Sequence, residues 1–392
     1  LISEITMNIA FLSTYPPREC GLATFTQDLV MQLGRMHPAG RSGIIAVSNE
    51  SLRYDDNVIM ELAQNDRSSY TQTASKLNNS DIDLLVIEHE FGIYGGERGE
   101  YLLDLIDNLK IPFVTTLHTV LPEPDAKQRY ILNVLGQKGD KIVTMAKNTV
   151  NILENVYGID PSKIAVINHG VPYMPMECRE TLKAESGLEY RFVISTFGLL
   201  GPGKGLEYGI EAVADVAKKH KNVLYYILGQ THPAVKKESG EDYRESLEAM
   251  VANLGISDNV VFVNAYLTKA EIIRYLMLSD IYMTPYLNKD QAVSGTLAYA
   301  AGYGRVIVST PYSYAKEMLS HGRGLLTKFR DSESIAGCIE YVLDHPEEKK
   351  QMEQKTLETG KTMMWENVGE QYQTLFASII KHNIKARDMV TA

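Results

Sequence analysis

The stretch Tyr286-Leu-Asn-Lys-Asp-Gln-Ala-Val-Ser-Gly-Thr-Leu-Ala-Tyr-Ala-Ala-Gly-Tyr-Gly-Arg-Val-Ile-Val-Ser309 decides the fold. It reads as loop, helix, strand. Asn288, Lys289, Asp290 and Gln291 form a polar loop after the apolar run Ile281–Thr284. From Ala292 to Ala301 the residues are small or apolar almost all round, the composition of a helix inside a protein. Ser294, Gly295 and Thr296 suit its first turn, where a hydroxyl caps and glycine leaves the backbone bare. Gly302 and Gly304 end it, and Val306-Ile-Val308 begins a strand. Two readings stay open for this stretch: unpaired N–H groups at a helix start aimed at an anion, or a core helix with small residues for tight packing.

The same unit recurs on either side. Phe192–Phe197 is an apolar strand followed by Gly198-Leu-Leu-Gly-Pro-Gly-Lys-Gly205 and a helix over 206–218. Glycines let a backbone approach a phosphate, and Lys204 adds a point charge at the helix start. No Ser or Thr follows the lysine, so this is not a Walker loop; a flexible turn is the plainer reading. Further strands are expected at 222–228, 259–263, 281–284, 306–309 and 322–326. In the first half, strands are expected at 7–13, 42–47, 58–62, 84–88, 112–117, 142–145 and 164–167. Strands alternating with helices predict α/β architecture with parallel, doubly wound sheets.

The first strand runs into Tyr15-Pro-Pro and Gly21, read as loop until the helix 25–33. Gly-x-Gly-x-x-Gly is absent, so it is not a dinucleotide fingerprint. His89 and Glu90 follow one strand and His118 another, at the edge where ligands bind such sheets. A lone histidine is usually structural, yet two at one edge make His118 and His89, with Glu90, candidate substrate contacts. Their spacing demands no metal, and no nucleophile stands near them with an orienting acid. Gly170, Pro172 and Pro175 lie close together and read as a boundary. The expected division is 1–172, a linker 173–190, a second domain 191–362 and a final helical segment 363–392. Trp365, Val368, Tyr372, Leu375, Phe376 and Ile379 share one face of that last helix.

A chain of 392 residues is too long for one ordinary core. The net charge of −10 gives no support to nucleic-acid binding. Three scattered cysteines fit a reducing compartment. No apolar run reaches the ~18 residues of a membrane span. Residues before Met7 read as an extension rather than a leader. The expected location is cytoplasmic, with peripheral contact at the inner face of the membrane left open, and the oligomeric state is unknown.

Taken in order, these segments resemble a family 4 glycosyltransferase of the GT-B fold, from Met7 to about Lys381. Tyr15-Pro-Pro with Gly21 resembles the first Gly loop, Thr116-Leu-His118 the strand-end histidine, and Asn168-His-Gly-Val171 the element before the linker. Gly198 to Gly205 with Lys204 resembles the diphosphate loop, 297–309 with Glu317 the donor signature, and Trp365-Glu-Asn-Val368 the start of a helix crossing back to the first domain. The resemblance implies two Rossmann-like domains facing across a cleft, and retaining transfer of mannose or glucose from a nucleotide sugar, GDP-mannose or UDP-glucose, to a glycan, lipid-linked or small-molecule acceptor. No other cofactor and no metal are implied. His118, Lys204 and Asp290 are the expected catalytic residues. Gly21, Gly198, Gly203, Lys204, Gln291, Val293, Ser294, Gly295 and Thr296 are the expected donor-binding residues. The family commonly places glutamates eight apart; Asp290 and Ala298 stand at those positions, and Ala298 cannot hold a ribose. A sugar-nucleotide epimerase using Glu88, Glu90 and Asp290, and a non-catalytic sugar-nucleotide binder, are the alternatives.

Overall fold

Short apolar strands separated by helices build two parallel sheets, one in each half of the chain. The computed structural model describes residues 6–391, with side chains as far as Lys385. Residues 1–5, most of the segment read as an extension, lie outside the described residues. The chain divides into two units: residues up to Gly170 together with the helix from Trp365, and Val171–Met364.

Unit 1 contains β1 (Asn8–Ser13), β2 (Arg41–Ser48), β3 (Val58–Ala63), β4 (Leu84–His89), β5 (Phe113–Leu117), β6 (Lys141–Thr144) and β7 (Ile164–Val166), in the order β3-β2-β1-β4-β5-β6-β7. Every neighbouring pair is parallel. The order reverses between β1 and β4, so their carboxyl ends open a crevice that no crossover covers. Burial on both faces explains the near-continuous apolar runs, such as β4, in which every residue is buried. The helix Gly21–Met36 starts four residues earlier than the pattern suggested, because Cys20 caps it: its Sγ accepts from the Ala23 N–H at 3.4 Å. Gly21 is therefore the first helical residue rather than part of a loop. Two helices carried weak sequence patterns and are observed at Arg67–Asn78 and Ala126–Lys138. The second opens with a capping box between Asp125 and Gln128. The last helix begins at Trp365 and packs on unit 1, with Phe376 against Phe11 and Trp365 against Phe25.

Unit 2 contains β8 (Phe192–Phe197), β9 (Val223–Leu228), β10 (Val260–Val263), β11 (Ile281–Thr284), β12 (Val306–Ser309) and β13 (Gly324–Leu326), in the order β10-β9-β8-β11-β12-β13, again all parallel. Here the order reverses between β8 and β11. The core joins Ile194, Tyr225, Met283 and Val308 of the sheet to Ile210 and Val213 of the helix Leu206–Lys219 and Ile335 and Ile339 of the helix Ser332–Asp344. Part of the segment expected as linker is a helix of this unit, Arg179–Glu185. Its Lys183 and Arg179 pair with buried Asp280 at the amino end of β11, which Lys349 also reaches. A buried carboxylate needs such partners, and they hold the helix to the sheet. No helix among the described residues is long and apolar enough to cross a membrane.

Candidate active site

In unit 2 the two loops at the switch point meet. Gly198 leaves β8 with φ 135° and Gly205 enters the helix Leu206–Lys219 with φ 60°, both in the region that favours glycine. A Cβ on Gly205 would lie 2.3 Å from the Pro285 carbonyl oxygen, so the loop after β8 packs directly on the loop after β11. The Leu287 N–H donates to the Gly203 carbonyl at 3.0 Å and ties them further. Lys204 then lies with Nζ 3.9 Å from the ring centroid of Tyr286, and 3.8 Å from the place a Gly198 Cβ would occupy. Tyr286 stacks on Tyr312 at 5.7 Å and shares a 3.0 Å hydroxyl hydrogen bond with Thr296. A tyrosine face is a favourable resting place for an ammonium that has no carboxylate partner among the described residues.

Ser294 caps the helix Gly295–Gly302; its Oγ accepts from the Leu297 N–H at 3.3 Å. The amides of Val293, Ser294, Gly295 and Thr296 have no protein acceptor among the described residues. Gln291, expected to touch the donor, turns its amide onto the Val293 carbonyl at 3.0 Å and shapes the turn. Asp290 is half-buried, and its own N–H donates to Asn288 Oδ1 at 3.1 Å. Ala298 is fully buried in the helix, so the position offers no group to a ribose. His232 follows β9; burial and then Lys204 lower its pKa, keeping it neutral beside the ammonium. Tyr286 opens the loop after β11 and carries no sequence signal of a role; its place under Lys204 follows from β8 and β11 being neighbours.

In unit 1 the edge is built on carboxylates and imidazoles. His118, just past β5, sets Nε2 2.8 Å from Glu88 Oε2 of β4, and its backbone N–H donates to the His89 carbonyl at 3.1 Å. Glu88 is fully buried, and burial raises its pKa against the opposing pull of His118. Glu90 accepts from Thr119 and, at 2.9 Å, from the Phe91 N–H, which pins the loop after β4 to the loop after β5. Phe25 meets His118 edge-on at 4.9 Å and His169 at 5.1 Å. The expectation that His89 contacts a substrate does not hold: the side chain is fully buried beside Phe91 and Tyr94, and burial, then His118, lower its pKa to about 3. Both faces of β4 are covered, so a side chain on either face of this strand is enclosed. Gly21 is open, with nothing within 4 Å of a Cβ built there, as is Gly203. Among the described residues no cluster of three or more metal-ligating side chains occurs.

Two family models match successive parts of the chain: Glycosyltransferase Family 4 over residues 57–173, and Glycosyl transferases group 1 over residues 179–359. The D-inositol 3-phosphate glycosyltransferase of Rhodococcus erythropolis is 24% identical over 306 residues, covering 72% of this chain and 67% of its own. Anabaena HepE, solved in complex with UDP, superposes with a TM-score of 0.75 at 16% identity, covering 95% of this chain and 100% of HepE. Sucrose-phosphate synthase from Thermosynechococcus elongatus does so with 0.77 at 12% identity, over 96% and 100% of the two chains. Two parallel α/β units, matched in order by these models and sharing the architecture of these structures, make the chain a member of the family 4 glycosyltransferases, with the GT-B fold.

Proposed function

We propose that the enzyme moves a hexose from a nucleoside diphosphate sugar to a hydroxyl acceptor, with retention at the anomeric carbon. The observation that carries this reading is the convergence of Lys204, held on Tyr286, with the unpaired amides of Val293–Thr296. Together they are a ready site for the departing diphosphate, where groups organised in advance stabilise developing charge. In the transfer, the bond from the anomeric carbon to the β-phosphate oxygen breaks and its electron pair stays with the phosphate. The acceptor oxygen bonds to that carbon, and its hydroxyl proton leaves with the phosphate. Asp290 of unit 2 is assigned to hydrogen-bond the hexose, and His118 of unit 1 to hydrogen-bond a substrate hydroxyl. HepE has been solved with UDP-glucose, which puts UDP-glucose beside GDP-mannose as the first donors to try. The name of the Rhodococcus relative puts a phosphorylated polyol among the acceptors to try.

The epimerase alternative loses two of its three carboxylates: Glu88 is buried on His118 and Glu90 is engaged by Thr119 and Phe91, which leaves Asp290. A thermal-shift panel tests the donor reading. At a ligand concentration ~100 times its Kd, binding to the native state adds about 2.7 kcal/mol of stability. UDP, GDP or their hexose conjugates should raise Tm in the native enzyme and much less in Lys204→Ala. A panel without a shift, or an equal shift in the variant, discards the proposal, and the anomeric configuration of the product tests retention.

A further inference from the structure

Glu88 is a buried ionisable group that the mechanism above does not use. It lies on β4, fully buried, with one oxygen on His118 Nε2 at 2.8 Å. Its other oxygen, Oε1, makes no hydrogen bond of good geometry among the described residues, with the Thr116 hydroxyl, itself near that of Tyr372, the polar group beside it. The backbone there is held hard, since the Tyr94 hydroxyl donates to the Glu88 carbonyl at 2.8 Å. Burying a carboxylate with one partner is unfavourable, and packing alone would be served better by an apolar residue. The residue it meets is the strand-end imidazole of His118, whose side chain keeps 11% of its surface exposed.

We propose that Glu88 is a positioning residue for the transfer: it fixes the tautomer of His118, so that Nδ1 is presented as a hydrogen-bond acceptor. The chemistry is that of any imidazole held by a carboxylate. An ionised Glu88 can only accept, so Nε2 carries the proton and Nδ1 keeps its lone pair. An amide at position 88 can accept or donate, and would let the proton reside on either nitrogen. Phe25, edge-on to the ring at 4.9 Å, and the His118 N–H bond to the His89 carbonyl fix the ring plane. Glu88 settles what that plane offers. A sugar hydroxyl donating to Nδ1 is then held in one orientation, whereas Nδ1–H would require it to accept. This inference rests on the reading that His118 takes part in transfer.

The test is Glu88→Gln in the full chain, with two readouts. In the ligand-free protein, 15N spectra of labelled histidine report the tautomer, the His118 signals being identified by their absence in His118→Ala. The native enzyme should show His118 protonated on Nε2, and Glu88→Gln a mixture or the opposite tautomer. In turnover, measured as nucleotide release from whichever of UDP-glucose or GDP-mannose raises Tm, Glu88→Gln should lose on the order of tenfold to a hundredfold in kcat. Its donor KM should change little, and adding Glu88→Gln to His118→Ala should cost nothing more. An unchanged His118 spectrum overturns the proposal, as does a loss that persists in the His118→Ala background, which would mark Glu88 as a folding residue. Full activity in His118→Ala with a shifted spectrum in Glu88→Gln would instead overturn the role given to His118 itself, and with it the positioning role. Glu88→Asp, which keeps the charge, should recover part of the activity that Glu88→Gln loses.

Discussion

The two switch-point edges are made by the same topology and filled with opposite chemistry. At the end of β8 and β11 the groups are donors: an ammonium on a tyrosine face and a turn of bare amides. At the end of β4 and β5 they are a buried carboxylate bonded to the His118 ring, a second carboxylate closed by a threonine, and a buried His89 imidazole kept from charging. The first edge suits a group that gains negative charge. The second suits neutral hydroxyls, which need hydrogen bonds of defined direction and gain little from net charge. A parallel sheet supplies the position, and the residues just past the strand ends supply the sign.

Removing the charge from the donor edge should do the most damage. Lys204→Ala is expected to lower kcat by about 10²–10³, on the order of 3–4 kcal/mol of transition-state stabilisation, measured as nucleotide release at saturating donor. A variant within a factor of three of the native rate would remove the distinction between the edges.

Acid should separate the units next. His89 and His169, both in unit 1, have pKa values lowered to about 3 and about 4 by burial. Each is neutral when folded and takes up its proton on unfolding. The unfolded state therefore binds more protons between the ordinary histidine pKa near 6.5 and the depressed value, and stability falls as pH drops through that window. Each group contributes up to about 1.4 kcal/mol per pH unit. Urea unfolding at pH 8, 6 and 5, followed at the single Trp365 of unit 1, should show the loss beginning just below pH 6.5. His169→Phe should flatten it, and a transition midpoint constant from pH 8 to 5 would contradict the assignment.

Backbone and ring changes at the donor edge should have smaller effects. Gly205→Ala must adopt φ near 60° and place a Cβ against the Pro285 carbonyl. The expected loss is on the order of 1–3 kcal/mol in stability, read as a lower Tm with donor affinity reduced in parallel. Tyr286→Leu removes the ring beneath Lys204 and should weaken nucleotide binding by roughly 0.5–2 kcal/mol. Tyr286→Phe, which keeps the ring and loses only the Thr296 contact, should lose less. Equal effects of the two would assign the work to the hydroxyl instead.

Much of this was legible in the residues. Each strand expected from an apolar run is present within a residue or two; in the central strands such as β1, β4 and β11 this is because a strand buried on both faces must be apolar along its length. The Gly198–Gly205 loop and the Ser294 cap were legible for a similar reason, since their conformations restrict which residues can stand there. The start of the helix at Gly21 was not, because a cysteine is an unusual cap and the prolines before it argued for a longer loop. The helix Arg179–Glu185 was read as linker because its polar residues look solvated one by one. Only the partners Asp280 and Glu353 show why Arg179 and Lys183 are not.

Sequence by itself determined the α/β alternation, the glycine-bearing turns and the family. All of these are local patterns or sums of them. Which side chains meet was decided by the tertiary structure alone. His118 reaches Glu88 because β4 and β5 are neighbours, Lys204 rests on Tyr286 because β8 adjoins β11, and His89 is enclosed beside Phe91 and Tyr94. Strand order and the phase of the pleat set these contacts. Both are chosen by the burial of the whole sheet, which no short segment records.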